Sequence, residues 1–200
     1  LESWDNRTSG TTKGLLGVAY GNNTFVAVGN DGKIFTSPDG TTWTAQTSGV
    51  TVRLNGITFE NNTFMAVGNQ GTILTSPDGT TWDSETSGTT NALQGVTYGN
   101  DVFMVVGDSG TILASSDGTT WISVNTGVDA GPDGVLDTAD DFATVVTDSL
   151  IGVTHGNTTF IAVGDDGKIF TVPDGSSGAP TLWTERSSGI SGPLSGVTYG

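Results

Sequence analysis

The sequence predicts an all-β chain built from four-stranded antiparallel units, and three observations carry that prediction: an internal repeat of 39 residues, short alternating apolar runs inside it, and turn residues between the runs. Trp4, Trp43, Trp82 and Trp121 recur at this spacing, as do Gly17, Gly56 and Gly95. The unit then returns stretched. Gly152 and Trp183 fall into register once 18 extra residues are placed before the fourth unit and five more between Asp174 and Trp183. One such unit cannot bury its own apolar faces, so a period of this length implies that neighbouring units stack.

Within residues 9–47 the elements follow from alternation and breakers. Leu15 to Tyr20 is the first strand, and Gly21-Asn22-Asn23 closes a tight hairpin because Gly and Asn accept positive φ. Phe25 to Val28 is the second strand, followed by a reversal at Gly29-Asn30-Asp31-Gly32. Lys33 to Thr36 is the third, Pro38-Asp39-Gly40 turns the chain again, and Thr42 to Gln46 is the fourth. No segment has a helical period, which excludes parallel sheets, whose faces need helices to cover them. Four antiparallel strands in about 40 residues, repeated along the chain, are the signature of β-propeller blades. Radial stacking explains why Val18, Ile57, Val96, Val153 and Val197 recur in the first strand and Phe25, Phe64, Phe103 and Phe160 in the second.

The register gives one propeller domain over 1–200, with a partial blade at 1–8, blades at 9–47, 48–86, 87–125 and 150–187, an insertion at 126–149, and a partial blade at 188–200. The ring is incomplete in this chain. A five-bladed closure would lack repeat positions 22–39, the two middle strands, so the missing strands are expected from further sequence or from a neighbouring molecule. A chain that begins at Leu1 is likewise expected to have been processed or cut from a longer one.

With 21 acidic and 6 basic side chains the net charge is −15. This repels phosphate backbones and argues against a nucleic-acid partner. The apolar runs are far shorter than the roughly 20 residues of a membrane span. The chain has no Cys and one His, His155, which removes thiolate chemistry and argues against His-cluster metal sites and Ser-His relays.

Ser37-Pro38-Asp39-Gly40-Thr41-Thr42-Trp43 recurs as Ser76 to Trp82 and Ser115 to Trp121, and in altered form as Val172-Pro173-Asp174-Gly175 with a later Trp183. A short Asp or Ser side chain can bond the backbone of its own turn, and the Trp can bury a large face against the adjoining blade. Asp39, Asp78, Asp117, Asp174, Trp43, Trp82, Trp121 and Trp183 therefore read as structural. These turns resemble the Asp-box, or bacterial neuraminidase repeat, one residue shorter than its usual Ser-x-Asp-x-Gly-x-Thr-Trp. The Gly-Val-x-Tyr-Gly-Asn and Phe-x-Ala-Val-Gly-x-x-Gly-x-Ile segments resemble blades of photosystem II assembly factors and sialidase-like propellers. A sialidase would imply three converging Arg and a Tyr nucleophile paired with Glu. Here Arg7, Arg53 and Arg186 fall at different repeat positions, while Tyr20, Tyr98 and Tyr199 share one position with Phe59 and His155. No catalytic residue is assigned. An assembly-factor role implies a basic docking surface, which six scattered basic residues do not supply.

The insertion carries Asp129-Ala130-Gly131-Pro132-Asp133-Gly134-Val135-Leu136-Asp137-Thr138-Ala139-Asp140-Asp141. Counted as a twelve-residue calcium loop it has Asp at positions 1, 5, 9 and 12 and Gly at 6, with Gly at 3 and Asp in place of Glu at 12. Calcium is the expected cofactor, with Asp129, Asp133, Asp137, Asp140 and Asp141 as candidate ligands. Connectivity places this loop on the same rim as Asp31, Gln70, Asp108, Ser109, Asp165 and Asp166. Such an acidic rim suits divalent cations, hydroxyl-rich ligands or basic partners. Asn6, Asn22, Asn61 and Asn157 head glycosylation triplets, three of them in hairpin turns that favour Asn anyway. The favoured function is a non-enzymatic extracellular or cell-surface binding or scaffold propeller with a calcium-stabilised loop and a protein or carbohydrate ligand on the acidic face. One alternative is a sialidase-like glycoside hydrolase with catalytic residues partly outside this sequence. Another is a subunit of an extracellular filament or assembly completed by strand exchange, self-associating through incomplete blades.

Overall fold

The structure, a computed structural model, describes residues 6–124, 146–173 and 183–199. Alternating sequence becomes four antiparallel sheets, each taking its strands in chain order. The first contains β1 (Leu15–Gly21), β2 (Thr24–Gly29), β3 (Ile34–Ser37) and β4 (Thr44–Gln46). The second contains β5 (Leu54–Glu60), β6 (Thr63–Gly68), β7 (Ile73–Ser76) and β8 (Asp83–Glu85). The third contains β9 (Leu93–Gly99), β10 (Val102–Gly107), β11 (Ile112–Ser115) and β12 (Ile122–Ser123). The fourth contains β13 (Leu150–Gly156), β14 (Thr159–Gly164), β15 (Ile169–Pro173) and β16 (Thr184–Arg186). This is the predicted all-β architecture, an incomplete β-propeller. No helix among the described residues is long and apolar enough to cross a membrane.

Two tight hairpins fix each blade's register. The first joins β1 to β2 through Asn22 and Asn23 at φ 47° and 57°. Its counterparts are Asn61-Asn62, Asn100-Asp101 and Asn157-Thr158, all at positive φ. The second joins β2 to β3 through Asp31 (φ 58°, ψ 32°) and Gly32 (φ 66°), with the Lys33 amide donating to Asn30 O at 3.1 Å. Two consecutive left-handed residues make both hairpins type I′, the form whose twist matches that of the strands. Glycine is doubly required at position 32, because a Cβ there would also collide with Val50 O in the connection to the next blade. Each first strand carries a bulge, visible as a register slip between Leu15 and Gly17, Leu54 and Gly56, Leu93 and Gly95, and Leu150 and Gly152.

The core lies between blades. Val26, Val28 and Ile34 of the first blade pack on Leu54, Phe64, Ala66 and Leu74 of the second. Met65, Val67 and Ile73 then pack on Leu93, Phe103, Val105 and Leu113. A third cluster joins Met104, Val106 and Ile112 to Leu150, Phe160, Phe170 and Trp183.

Three local differences from the sequence expectation have physical causes. The fourth strand starts at Thr44 and not Thr42, because the Thr41 and Thr42 amides are taken by the Asp39 carboxylate. Val18, expected to be covered, is 63% exposed. Its counterparts Ile57, Val96 and Val153 each face a preceding blade, and none among the described residues precedes the first. Residues 188–199 form no strand. They lie against the fourth blade, with the Leu194 amide donating to Gly164 O at 2.9 Å.

Candidate functional rim

The β2–β3 turns and the connections between blades occupy one rim. Gly32 approaches Val50, Gly71 approaches Thr89, Gly110 approaches Val146 and Gly167 approaches Ile190, each through a backbone carbonyl. The Gly71 amide donates to Asn91 O at 2.9 Å and the Gly110 amide to Asp148 O at 3.0 Å. On this repeated frame the outermost turn residue changes from blade to blade: Asp31, Gln70, Ser109 and Asp166, all exposed and at φ 54–59°. Asp108 and Asp165 sit one residue earlier and are half-buried. Asp31 pairs with Lys13 at 2.6 Å. That hydrogen bond and the accompanying charge lower the Asp31 carboxyl and raise the Lys13 ammonium from their ordinary values.

Two adjoining hollows open on the rim. One, of about 590 Å³, is lined by Gln70, Thr72, Glu85, Ser87 and Thr89. The other, of about 510 Å³, shares Ser87 and Thr89 and adds Asn91, Ser109, Thr111 and Trp121. The first is walled mostly by hydroxyl and amide groups, and the second sets such groups beside the apolar side chains of Ile112, Leu113, Trp121, Val124 and Val146, the complement of a ligand with both hydrogen-bonding groups and an apolar face. Two residues that the sequence reading passed over, Asn55 and Gln94, are the extra residues of their bulges. Asn55 Nδ2 donates to Leu93 O at 2.8 Å and to Asn69 Oδ1 at 3.0 Å, and Gln94 Nε2 donates to Asp108 Oδ1 at 2.8 Å. They tie the first strand to the rim turn. The available signal was that Leu16 and Ile151 hold the same position with no polar group to offer.

Among the described residues no three His, Cys, Asp or Glu side chains converge as a metal site. Asp129, Asp133, Asp137, Asp140 and Asp141 lie outside the described residues, as does Asp174.

The opposite rim carries the other predicted turns. Ser37 Oγ accepts the Gly40 amide at 2.9 Å, and Asp39 Oδ1 accepts those of Thr41 and Thr42 at 2.8 and 3.1 Å. The Ser76-Asp78 and Ser115-Asp117 turns repeat this pattern. The Thr41 hydroxyl, with the Thr42 and Thr41 amides, holds Asp39 well below the usual carboxylate range. The Thr81 and Thr80 amides lower Asp78 to about 2, and those of Thr120 and Thr119 lower Asp117. Trp82 packs on the cluster between the first two blades and Trp121 on the next, while Trp183 is fully buried in the third. Trp43 instead borders an open apolar hollow with Leu15, Leu16, Val18 and Ala27. Trp43 Nε1 donates to Gly40 O at 3.2 Å and Trp82 Nε1 to Gly79 O at 3.0 Å, whereas the buried Trp121 Nε1 and Trp183 Nε1 have no acceptor among the described residues. Asn22, Asn61 and Asn157 stand exposed at their turn tips, and Asn6 is also exposed.

The residues on which a sialidase reading would depend are packing groups or dispersed. Tyr20, Phe59, Tyr98 and His155 each pair with the Phe opposite on the second strand at 4.5–4.6 Å between ring centroids. The rings of Phe59, His155 and Tyr199 lie over Gly21, Gly99 and Gly156 of the preceding blade, close enough to exclude any Cβ there. Arg53 precedes β5 and Arg186 is on β16, where its Nε donates to Thr171 Oγ1 at 3.0 Å; both are exposed.

No family model and no curated protein matches the chain. Solved structures do. YCF48 bound to D1 peptide is 16% identical with a TM-score of 0.66, over 94% of this chain and 58% of that one. YCF48 from Cyanidioschyzon merolae is 21% identical with a TM-score of 0.66, over 93% of this chain and 60% of that one. The computationally designed Ika4 protein is 13% identical with a TM-score of 0.62, over 87% of this chain and all of that one. The likeness is one of fold, and the chain spans less than two thirds of either YCF48 chain.

Proposed function

We propose that this chain is a non-enzymatic binding and scaffold propeller that takes a protein or carbohydrate ligand on the rim of its β2–β3 turns. The observation that carries this reading is the pair of adjoining hollows beside Gln70 and Ser109, one lined by hydroxyl and amide groups and one by a mixture of these with apolar side chains, where exposed tip residues vary on a repeated backbone. Variable loop tips on a rigid frame are how scaffolds acquire partners. A similar propeller with a bound peptide adds support, and a net charge of −15 favours a basic or hydroxyl-rich ligand. We read the Ser-Asp-Gly turns as short Asp-boxes, place the protein outside the cell or at its surface, and assign calcium to the Asp129 to Asp141 segment. In that compartment Asn6, Asn22, Asn61 and Asn157 would be sugar acceptors.

The test is a glycan and basic-peptide array probed with the wild type and with Gln70→Lys and Ser109→Lys, with and without calcium. Ligands that lose at least tenfold in affinity with either substitution are the expected result. Turnover of a fluorogenic sialoside, abolished by Tyr98→Phe, would replace this reading with a hydrolase. Calcium is checked by calorimetry: a saturable heat that Asp133→Ala diminishes is expected, and no heat removes the cation from the proposal.

A further inference from the structure

We propose that the β6–β7 and β10–β11 turns, with Gln70 and Ser109 at their tips, form one coupled unit held in register by Asn55 and Gln94, and that a single ligand engages both tips. The proposal rests on the binding role given to this rim above and names the residues that position it.

Every blade anchors its rim turn to the segment entering its own first strand through one backbone bond, here from the Asn69 amide to Arg53 O and from the Asp108 amide to Ala92 O, both at 2.9 Å. Side chains set the second and third blades apart. Asn55 Nδ2 donates to Asn69 Oδ1 in its own turn at 3.0 Å and, across the seam, to Leu93 O at 2.8 Å. Leu93 lies opposite Gly107, the residue before the third blade's turn. The next residue, Gln94, donates from Nε2 to Asp108 Oδ1 in that turn at 2.8 Å. A second path runs through the connection between the blades. The Gly71 amide donates to Asn91 O at 2.9 Å, Asn91 Nδ2 to Thr111 Oγ1 at 2.9 Å, and Thr111 Oγ1 to Asp108 O at 2.6 Å. The two turns are therefore joined twice, once through the inner strands and once through the connection.

The seam between the first two blades is built differently. There Leu16 and Val52 hold the positions of Asn55 and Asn91, and neither side chain has a hydrogen-bonding group. The hollows follow the network: Gln70 lines one, Ser109 lines the other, and they meet at Ser87 and Thr89 on the connection that carries Asn91. The side chains of the network are half-buried, where hydrogen bonds strengthen one another and rigidify what they join. A frame ordered before binding spares the ligand that cost, and two tips on one frame act together on a ligand long enough to reach both. Asn55 and Gln94 are not among the residues lining the hollows, so their effect on a ligand passes through the turns.

The experiment uses the whole chain with Asn55→Leu and Gln94→Ile, which install the residues that the first and fourth blades carry at this position, and with Asn55→Gln, which installs that of the third. Hydrogen exchange without ligand is followed in residues 69–72 and 108–111, with β1 to β4 as the reference. Asn55→Leu is expected to speed exchange by about fivefold or more in both turns while β1 to β4 stay unchanged, and Asn55→Gln to remain near the wild type. On the glycan and basic-peptide array, each ligand weakened by Gln70→Lys should also be weakened by Ser109→Lys, and should lose about fivefold or more with Asn55→Leu or Gln94→Ile. Unchanged exchange, faster exchange confined to 69–72, or an equal rise in every blade would overturn the proposal. So would ligands that respond to one tip alone or that ignore both Asn55→Leu and Gln94→Ile, and the binding reading would then stand without it. An array on which the wild type retains nothing ends that reading and this proposal together.

Discussion

Thr158 has φ 58°, at the hairpin position that Asn23 and Asn62 hold in the first two blades. A β-branched side chain in the left-handed region is strained, at a typical cost of about 1–3 kcal/mol, whereas Asn tolerates it because its short amide can bond locally. The tip is exposed, so no packing offsets the strain, and the hydroxyl's bond to Asn157 O at 2.7 Å is the local compensation the structure shows. Thr158→Asn is therefore expected to stabilise the protein by about 1 kcal/mol, a rise of about 2–4 °C in Tm for a chain of this size. A calorimetric scan measures it, and an unchanged or lower Tm would show that the left-handed turn carries little strain. His155 likewise fills a repeat position that the second blade gives to Phe59. Its ring covers Gly99 and meets Phe160 as Phe59 covers Gly21 and meets Phe64, so the one His of the chain does the work of a stacking aromatic.

At the scale of the element, the Ser-Asp-Gly turn makes a hairpin sensitive to acid. The Asp78 carboxylate accepts the Thr80 and Thr81 amides at 2.8 and 3.0 Å, and these lower it from 3.8 to about 2. A carboxylate lowered on folding contributes stability that is complete above its ordinary value and is lost as pH falls toward its folded one. Between about pH 4 and pH 2 the turns should weaken, together at Asp39, Asp78 and Asp117. Urea unfolding of the wild type at pH 5 and pH 2.5 should show a lower midpoint in acid. Asp78→Ala should lower the midpoint at pH 5 and reduce its fall with acid. Equal pH sensitivity in the variant would mean the turn does not contribute. The turn also shows where the sequence was legible and where it was not. Alternation and Gly-Asn turns located every strand of the first blade to within two residues. The start of the fourth strand was misplaced because Asp39 competes with the ladder for the Thr41 and Thr42 amides, a choice made by a side chain and invisible to alternation. The shared rim followed from connectivity alone. Its hollows did not, because Ser87, Thr89 and Ser109 meet only through the spacing between blades.

Across the whole molecule, stability resides in the seams between blades, and among the described residues each buried cluster joins blades that are neighbours in sequence. Such a chain behaves as a row of units coupled by interface terms, so protection should follow position in the row. The second and third blades have a packed cluster on both sides. Among the described residues the first blade has one on its rear side only: its front exposes Leu16 and Val18, at 42% and 63%, beside a hollow of about 360 Å³, and Tyr20 at 56%. Hydrogen exchange should therefore be slowest in β6, β7, β10 and β11 and faster in β1 to β4, although all four blades have nearly the same sequence and the same ladder. Leu93→Ala sharpens the test. Leu93 is fully buried in the seam between the second and third blades, and its truncation is expected to cost about 2–5 kcal/mol. If the seams carry the coupling, the loss should bring β6, β7, β10 and β11 down together while leaving exchange in the first blade nearly unchanged. A uniform rise in exchange through all four blades would instead mean that the array unfolds as a single cooperative unit, with the identity of the individual seam immaterial.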